Sequence, residues 1–224
     1  MRRLLIVAAT MMTMVAANAQ SYEQMRDSLE EAADMVRKFP ENIDLRLRKA
    51  SWNMLLQQWE YAKSEYDEVL KRDSANVAAL YYRAYTQERM HKYAFARRDY
   101  ERMLKIVPGN FNGQLGLALL NQKDMRYTEA MNMANHLVEQ YPDNAVAYAA
   151  RAGMEMERGM LDVALFDFSK AITLEPANTD YLISRADLLI RMGRKKEARQ
   201  DLDTAVRKGI PKPSLIDLYN RCRE

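Results

Sequence analysis

The side chains capable of acid–base, nucleophilic or metal chemistry are few and scattered. His91 and His136 are the only two histidines, and no Cys or carboxylate accompanies either at metal-ligand spacing. Both are expected to be solvated surface residues. Cys222 is the single cysteine, which excludes an internal disulfide and a multi-Cys zinc site. It is either an incidental residue near the C-terminus or one that pairs between chains. No glycine-rich phosphate loop, nucleophile elbow or zinc motif occurs. No cofactor and no catalytic activity are therefore expected. The regular chemistry is ionic: Lys49 and Glu65, Arg83 and Asp99, Arg151 and Asp167, Arg185 and Asp201 are each 16 residues apart. At the equivalent place Leu117 and Met133 are apolar together. Four complementary pairs and one joint apolar swap predict contact between two helices; the alternative is an acidic-ligand site built by the bases. The short runs Glu30-Glu31 and Arg194-Lys195-Lys196 read as solvated helix faces.

The elements that must hold these pairs recur along the chain. Pro108, Pro142 and Pro176 are 34 residues apart, and Pro40 precedes Pro108 by twice that interval. Frames of 34 residues starting at Ile43, Val77, Phe111, Ala145 and Thr179 place alanine at position 8 every time: Ala50, Ala84, Ala118, Ala152 and Ala186. Position 20 is alanine every time as well: Ala62, Ala96, Ala130, Ala164 and Ala198. Larger apolar residues fill position 17 (Trp59, Tyr93, Tyr127, Leu161, but Lys195), position 24 (Tyr66, Tyr100, Ala134, Phe168, Leu202) and position 27 (Val69, Met103, Leu137, Ala171, Ala205). Spacings of three and four describe one face of a helix. Positions 4, 8 and 11 mark a weaker face on a preceding helix, and a turn falls near position 15, where Gly159 and Gly193 stand. Alanine methyls let two helices approach closely, and a single hairpin cannot bury its face alone, so neighbours must stack. Only 7 Gly and 6 Pro in 224 residues argue against a turn-rich β fold, while 48% hydrophobic and 29% charged residues suit a folded chain.

Residues 145–178 place Tyr148, Ala152, Gly159, Leu161, Ala164, Phe168, Ala171 and Pro176 in a pattern that resembles the tetratricopeptide repeat. The resemblance extends over residues 43–212 as five repeats: 43–76, 77–110, 111–144, 145–178 and 179–212. Arg46, Gln114 and Lys195 depart from it. It implies an all-α, right-handed solenoid of helical hairpins. Residues 20–42 read as an N-terminal capping helix and 213–224 as a C-terminal one, with Ser214 as its N-cap.

The resemblance also implies where a ligand would lie, since first helices of this family line a concave groove through positions 2, 5, 9, 12 and 13. Those positions supply Leu47, Ser51, Met54 and Leu55 in repeat 1, and Tyr81, Tyr85, Glu88 and Arg89 in repeat 2. Repeat 3 supplies Asn112, Leu115, Leu119, Gln122 and Lys123. Repeat 4 supplies Val146, Ala149, Gly153 and Met156, and repeat 5 Asp180, Ile183, Asp187, Ile190 and Arg191. The lining is mostly apolar and suits an amphipathic helix or extended apolar segment of a partner protein. Ala149 and Gly153 leave room for a bulky anchor. The alternative is that these residues pack internally or lie under the C-terminal helix. Chaperone adaptors of the family clamp a terminal carboxylate with Lys, Arg and Asn; Leu47, Tyr81, Leu115, Ser51, Tyr85 and Leu119 cannot do so.

Residues 1–19 carry Arg2 and Arg3, an apolar run from Leu4 to Ala17, and the small-x-small site Ala17-Asn18-Ala19. This order predicts a secretory signal cleaved before Gln20. A membrane anchor is the alternative, but such a run rises only about 21 Å as a helix against a core of about 30 Å. Loss of Arg2 and Arg3 lowers the formal charge from +3 to +1, so nothing asks for nucleic acid. The expectation is a non-catalytic scaffold or adaptor in the periplasm, or secreted. Self-association, or an accessory role in an envelope enzyme or transport complex, is the alternative.

Overall fold

The computed structural model describes residues 21–223, and the predicted signal segment lies outside the described residues. All regular structure among them is helical. Helix α1 runs through residues 21–38. Hairpins follow as α2 (Ile43–Leu55) with α3 (Trp59–Arg72), α4 (Val77–Arg89) with α5 (Tyr93–Ile106), and α6 (Phe111–Lys123) with α7 (Tyr127–Gln140). The last two are α8 (Ala145–Glu157) with α9 (Leu161–Leu174), and α10 (Thr179–Arg191) with α11 (Lys195–Arg207). A 3-10 turn, Lys212–Leu215, leads into α12 (Ile216–Arg221). The chain forms two compact units that divide between Gly113 and Gln114, inside α6.

Helix limits have local causes. Asn42, Asn76, Asn144 and Asn178 cap α2, α4, α8 and α10, each side chain accepting a backbone N–H of the first turn. Asn110 does the same for the Gly113 N–H at 2.9 Å. Each such cap is worth about 1 kcal/mol. First helices end with a residue in the left-handed region: Gln57, His91, Met125, Gly159 and Gly193, with φ between 56° and 77°. The following N–H then reaches back five residues, as Lys92 N to Gln87 O at 2.8 Å and Met160 N to Glu155 O at 2.9 Å. This closes the orphan carbonyls and reverses the chain.

Packing follows the alanine columns. All ten alanines at positions 8 and 20 are fully buried. Tyr66, Tyr100, Ala134, Phe168 and Leu202 at position 24 are buried too, while Tyr127 at position 17 is 45% exposed and fills no interior gap. In unit 1 the core joins Ala50, Ala62, Tyr66, Val69, Ala79 and Leu80 of α2, α3 and α4. In unit 2 Ala186, Ala198, Leu202 and Ala205 of α10 and α11 receive Leu215 and Tyr219 from the C-terminal segment. Ser214 is not an N-cap: its hydroxyl donates to the Pro211 carbonyl at 2.7 Å inside the 3-10 turn, and α12 starts without a side-chain cap.

The charged pairs are made, and they are shielded. Arg83 binds Asp99 with both fork nitrogens at 2.6 and 2.7 Å, Arg151 binds Asp167 at 2.6 and 2.9 Å, and Arg185 binds Asp201 at 2.7 and 2.8 Å. Each guanidinium spends its remaining arm on the preceding second helix: Arg83 on Asp67, Arg151 on Asn135 and Arg185 on Ser169. In the C-terminal segment Tyr219 takes the same slot, its hydroxyl donating to Asp203 at 2.7 Å. These bridges tie hairpin to hairpin within each unit, so they belong to the fold and build no acidic-ligand site.

Candidate functional site

Unit 2 gathers its groove residues around a cleft of about 520 Å³. Ala149, Gly153 and Met156 of α8 form one wall, and Tyr181, Ile183, Ser184 and Asp187 of α10 the other. Phe168 of α9 contributes to the lining, as does Leu218 of α12, and Asp180 sits at its edge. A Cβ built on Gly153 meets nothing within 4 Å, so the glycine opens this cleft instead of permitting a tight helix crossing. Asp187 is held by Arg191 on its own helix at 3.0 Å and by Arg221 of α12 at 2.7 Å. That second bridge fixes α12 beside the cleft and leaves the centre apolar. Burial and the neighbouring Glu175 and Asp180 carboxylates push the Tyr181 hydroxyl up, so it stays a neutral donor, to Glu175 at 3.3 Å.

Elsewhere in unit 2 Leu119 is 37% exposed and Leu115 half-buried. Gln122 lines a separate cleft of about 350 Å³ with Tyr127, Glu157 and Arg158, and its amide donates to Glu157. Gln122 therefore does not join the Gly153 cleft.

In unit 1 the predicted lining is consumed more by packing. Tyr81 is half-buried and stands edge-on to Tyr82 and Tyr100, with ring centroids 5.2 and 5.9 Å away. Glu88, predicted for the groove, is only 6% exposed and so presents no open side chain there. Met54 accepts the Tyr66 hydroxyl at 2.9 Å and packs on the core. Tyr85 remains exposed, edge-on to Trp59, and the Arg89 guanidinium lies 5.4 Å above the Trp59 ring. Asn112 is exposed.

Four members of the unit 2 cleft, Phe168, Tyr181, Ser184 and Leu218, lie outside the predicted groove positions. Position 24 predicts Phe168 for the hairpin interior, and Leu218 comes from a helix outside the repeat frames. Among the described residues no cluster of three or more His, Cys, Asp or Glu could hold a metal ion, and no helix is long and apolar enough to cross a membrane. His91 and His136 are exposed, and burial pushes the Cys222 thiol up, away from thiolate chemistry.

A crystal structure of a tetratricopeptide repeat protein from Parabacteroides merdae superposes with a TM-score of 0.77 over 92% of this chain and 80% of that one, at 21% identity. The fold is the tetratricopeptide repeat. YrrB, described as a TPR protein with an unusual peptide-binding site, matches 81% of this chain and 94% of its own with a TM-score of 0.53 and 20% identity. Among curated proteins, the human mitochondrial import receptor subunit TOM70 is 23% identical over 191 residues, 82% of this TPR chain but 31% of that protein. The chain thus spans about a third of the length of that relative. No family model matches.

Proposed function

We propose that this chain is a non-catalytic protein-interaction scaffold that seats an apolar segment of a partner protein against α8 and α10. The observation that carries this reading is the cleft beside Gly153, apolar at its centre, with space where a side chain would otherwise stand. A rigid, preformed pocket that takes one large apolar side chain binds at low ordering cost. The fold shared with a peptide-binding TPR protein supports the same reading. The signal-like residues 1–19 favour export to the periplasm as the place where it acts, and the scatter of His91, His136 and Cys222 favours an adaptor over an enzyme.

The test is capture of binding partners by the wild-type chain and by Gly153→Leu, followed by calorimetry of each captured protein against both. A partner bound by the wild type and at least about tenfold more weakly by Gly153→Leu establishes the cleft as the docking site. Equal affinity for both chains removes the cleft from the account. A mass that doubles with concentration in the wild type and not in Gly153→Leu would replace the partner with a second copy.

A further inference from the structure

Helices α1, α3 and α5 lie side by side in unit 1. Asp27 and Glu30 of α1 share a groove with Tyr61 and Ser64 of α3, and Lys63 and Asp67 of α3 share the next one with Phe95 and Arg98 of α5. Helix α1 keeps the register of the repeats, since Ala32, Tyr66 and Tyr100 are 34 residues apart and all buried.

The three helices spend their charges differently. Every charged side chain of α3 is paired: Glu60 with Lys92, Lys63 with Asp67, Glu65 with Lys49 and Arg46, and Glu68 with Lys71 and Arg72. Helix α1 carries five acids against three bases. Its Glu23, Asp27, Glu30 and Glu31 are exposed and make no ion pair among the described residues, and Asp34 has only Arg37 of its own helix. Helix α5 is the reverse, with four bases against two acids, and one of those acids, Asp99, is turned inward to Arg83. Arg98, Arg102 and Lys105 are exposed and have no carboxylate partner among the described residues. Arg98 lies over the Phe95 ring and Arg102 donates to the Ser74 carbonyl. Unit 1 therefore has an acidic edge and a basic edge on either side of a neutralised helix.

The spacing of the two edges selects the occupant. Glu30 and Arg98 are 68 residues apart, as are Asp34 and Arg102. That is twice the repeat, so each acid stands at the same level on α1 as its base on α5. A two-fold axis along α3 lays α1 of a second copy on α5 of the first, and by symmetry α5 of the second on α1 of the first. It sets Glu30 against Arg98 and Asp34 against Arg102, twice each. Tyr61 and Phe95, one repeat apart and 70% and 55% exposed, meet across the same axis. A foreign protein would need both signs at this spacing, whereas a second copy has them by construction. Three helices about 21 Å long at spacings of about 9 Å offer about 500 Å² per copy, the size of a transient contact.

We propose that unit 1 pairs with a second copy of this chain, α1 of each on α5 of the other, as a closed and salt-sensitive dimer. The contact uses no residue of the cleft beside Gly153.

The test is sedimentation equilibrium of the full chain from about 10 μM to about 1 mM, in salt of about 50 mM and about 500 mM. A monomer–dimer equilibrium is expected, with a dissociation constant of about 0.1 mM at low salt and at least about tenfold weaker at high salt. Two variants each reverse one edge: Glu30→Arg with Asp34→Arg, and Arg98→Glu with Arg102→Glu. None of the four positions is buried, so folding is retained. Each variant alone should stay monomeric, because its two contact rows then carry the same sign. Mixed in equal amounts the two should pair again, since each α1 then faces an α5 of opposite charge. Tyr61→Ala should weaken the dimer about threefold, and Gly153→Leu should associate like the wild type. A wild-type chain that stays monomeric at about 1 mM would overturn the proposal, whatever foreign partner then took either edge. Growth past the dimer, insensitivity to salt, undiminished association of either reversed variant, failure of the mixture to pair, or loss of association in Gly153→Leu would each overturn it as well.

Discussion

The hairpins α4–α5 and α8–α9 solve one problem with two chemistries. In both, an arginine grips an aspartate with two nitrogens: Arg83 with Asp99 and Arg151 with Asp167. Both aspartates are nearly or fully buried, so each needs further donors. In α4–α5 the amide of Gln87 supplies one at 2.8 Å. In α8–α9 the same position is Glu155, a carboxyl set against the carboxylate of Asp167, with Arg151 at 3.8 Å and one of its oxygens unpartnered. Burial and the Asp167 charge push the Glu155 carboxyl up to about 7. An amide can donate at any pH; a carboxyl can donate only while it holds its proton. The lesson is that one atom's difference, nitrogen for oxygen, gives α8–α9 a buried carboxyl that can titrate where α4–α5 has an amide that cannot.

The comparison can be broken most severely through the arginines. Arg151→Leu leaves Asp167 and Glu155 buried without a cation and should cost about 3–5 kcal/mol by urea denaturation. Adding Asp167→Met, which reproduces the apolar Leu117 and Met133 pair of repeat 3, should recover most of that loss. If the double variant is no better than Arg151→Leu alone, the pair is not the unit it is taken for here.

A smaller effect sharpens the contrast through pH. Because Glu155 has a raised pKa in the folded chain, its contribution is fully present below its unfolded value of 4.5 and is lost as pH rises through about 7. Stability should therefore fall by about 2–3 kcal/mol over that interval from this residue. Glu155→Gln should abolish that part of the slope and raise stability at pH about 8, and Gln87→Glu should import the slope into α4–α5. Thermal unfolding across the pH series, with all three chains compared, reads both directions. Parallel curves would sink the assignment to Glu155.

The smallest effect lies in the two turns. His91 holds φ at 58° and Gly159 at 77°, a region that an L side chain enters only with strain. His91→Gly should be neutral to stabilising by about 0.5–1 kcal/mol, less whatever its 2.9 Å contact with the Tyr93 hydroxyl contributes. Gly159→Ala should destabilise by about 1 kcal/mol. Equal and opposite shifts in melting temperature would indicate that backbone strain alone governs both.

Much of this architecture was legible residue by residue. The alanine columns, the large residues at position 24 and the 16-residue ionic spacing announced buried contacts, and those contacts form. One signal in the same register went unread: Asn42, Asn76, Asn110, Asn144 and Asn178 are also 34 residues apart, and all five cap a first helix. Helical spacing makes position 11 part of an apolar face, yet Asn53, Gln87, Asn121 and Glu155 there are buried and polar. Its polarity makes sense only beside the acid that the second helix brings to it. The groove list met the same difficulty. A slot number identifies the exposed side of an isolated helix, but Glu88 is buried and Tyr81 meets the Tyr82 and Tyr100 rings, whose placement depends on packing.

The sequence by itself determined the helical period, the start and stop of the repeats' first helices and the pairing of bases with acids. Caps, left-handed turns and spacings of three and four act over a few residues, and a fixed repeat length carries each local rule along the chain. Only the tertiary structure decided which polar groups were left wanting and where space remained. The orphaned Asn53 amide, the raised Glu155 carboxyl and the cleft closed on one side by Leu218 each depend on side chains arriving from another helix. Burial and competition for a shared hydrogen-bond partner are properties of that meeting, and no single segment contains them.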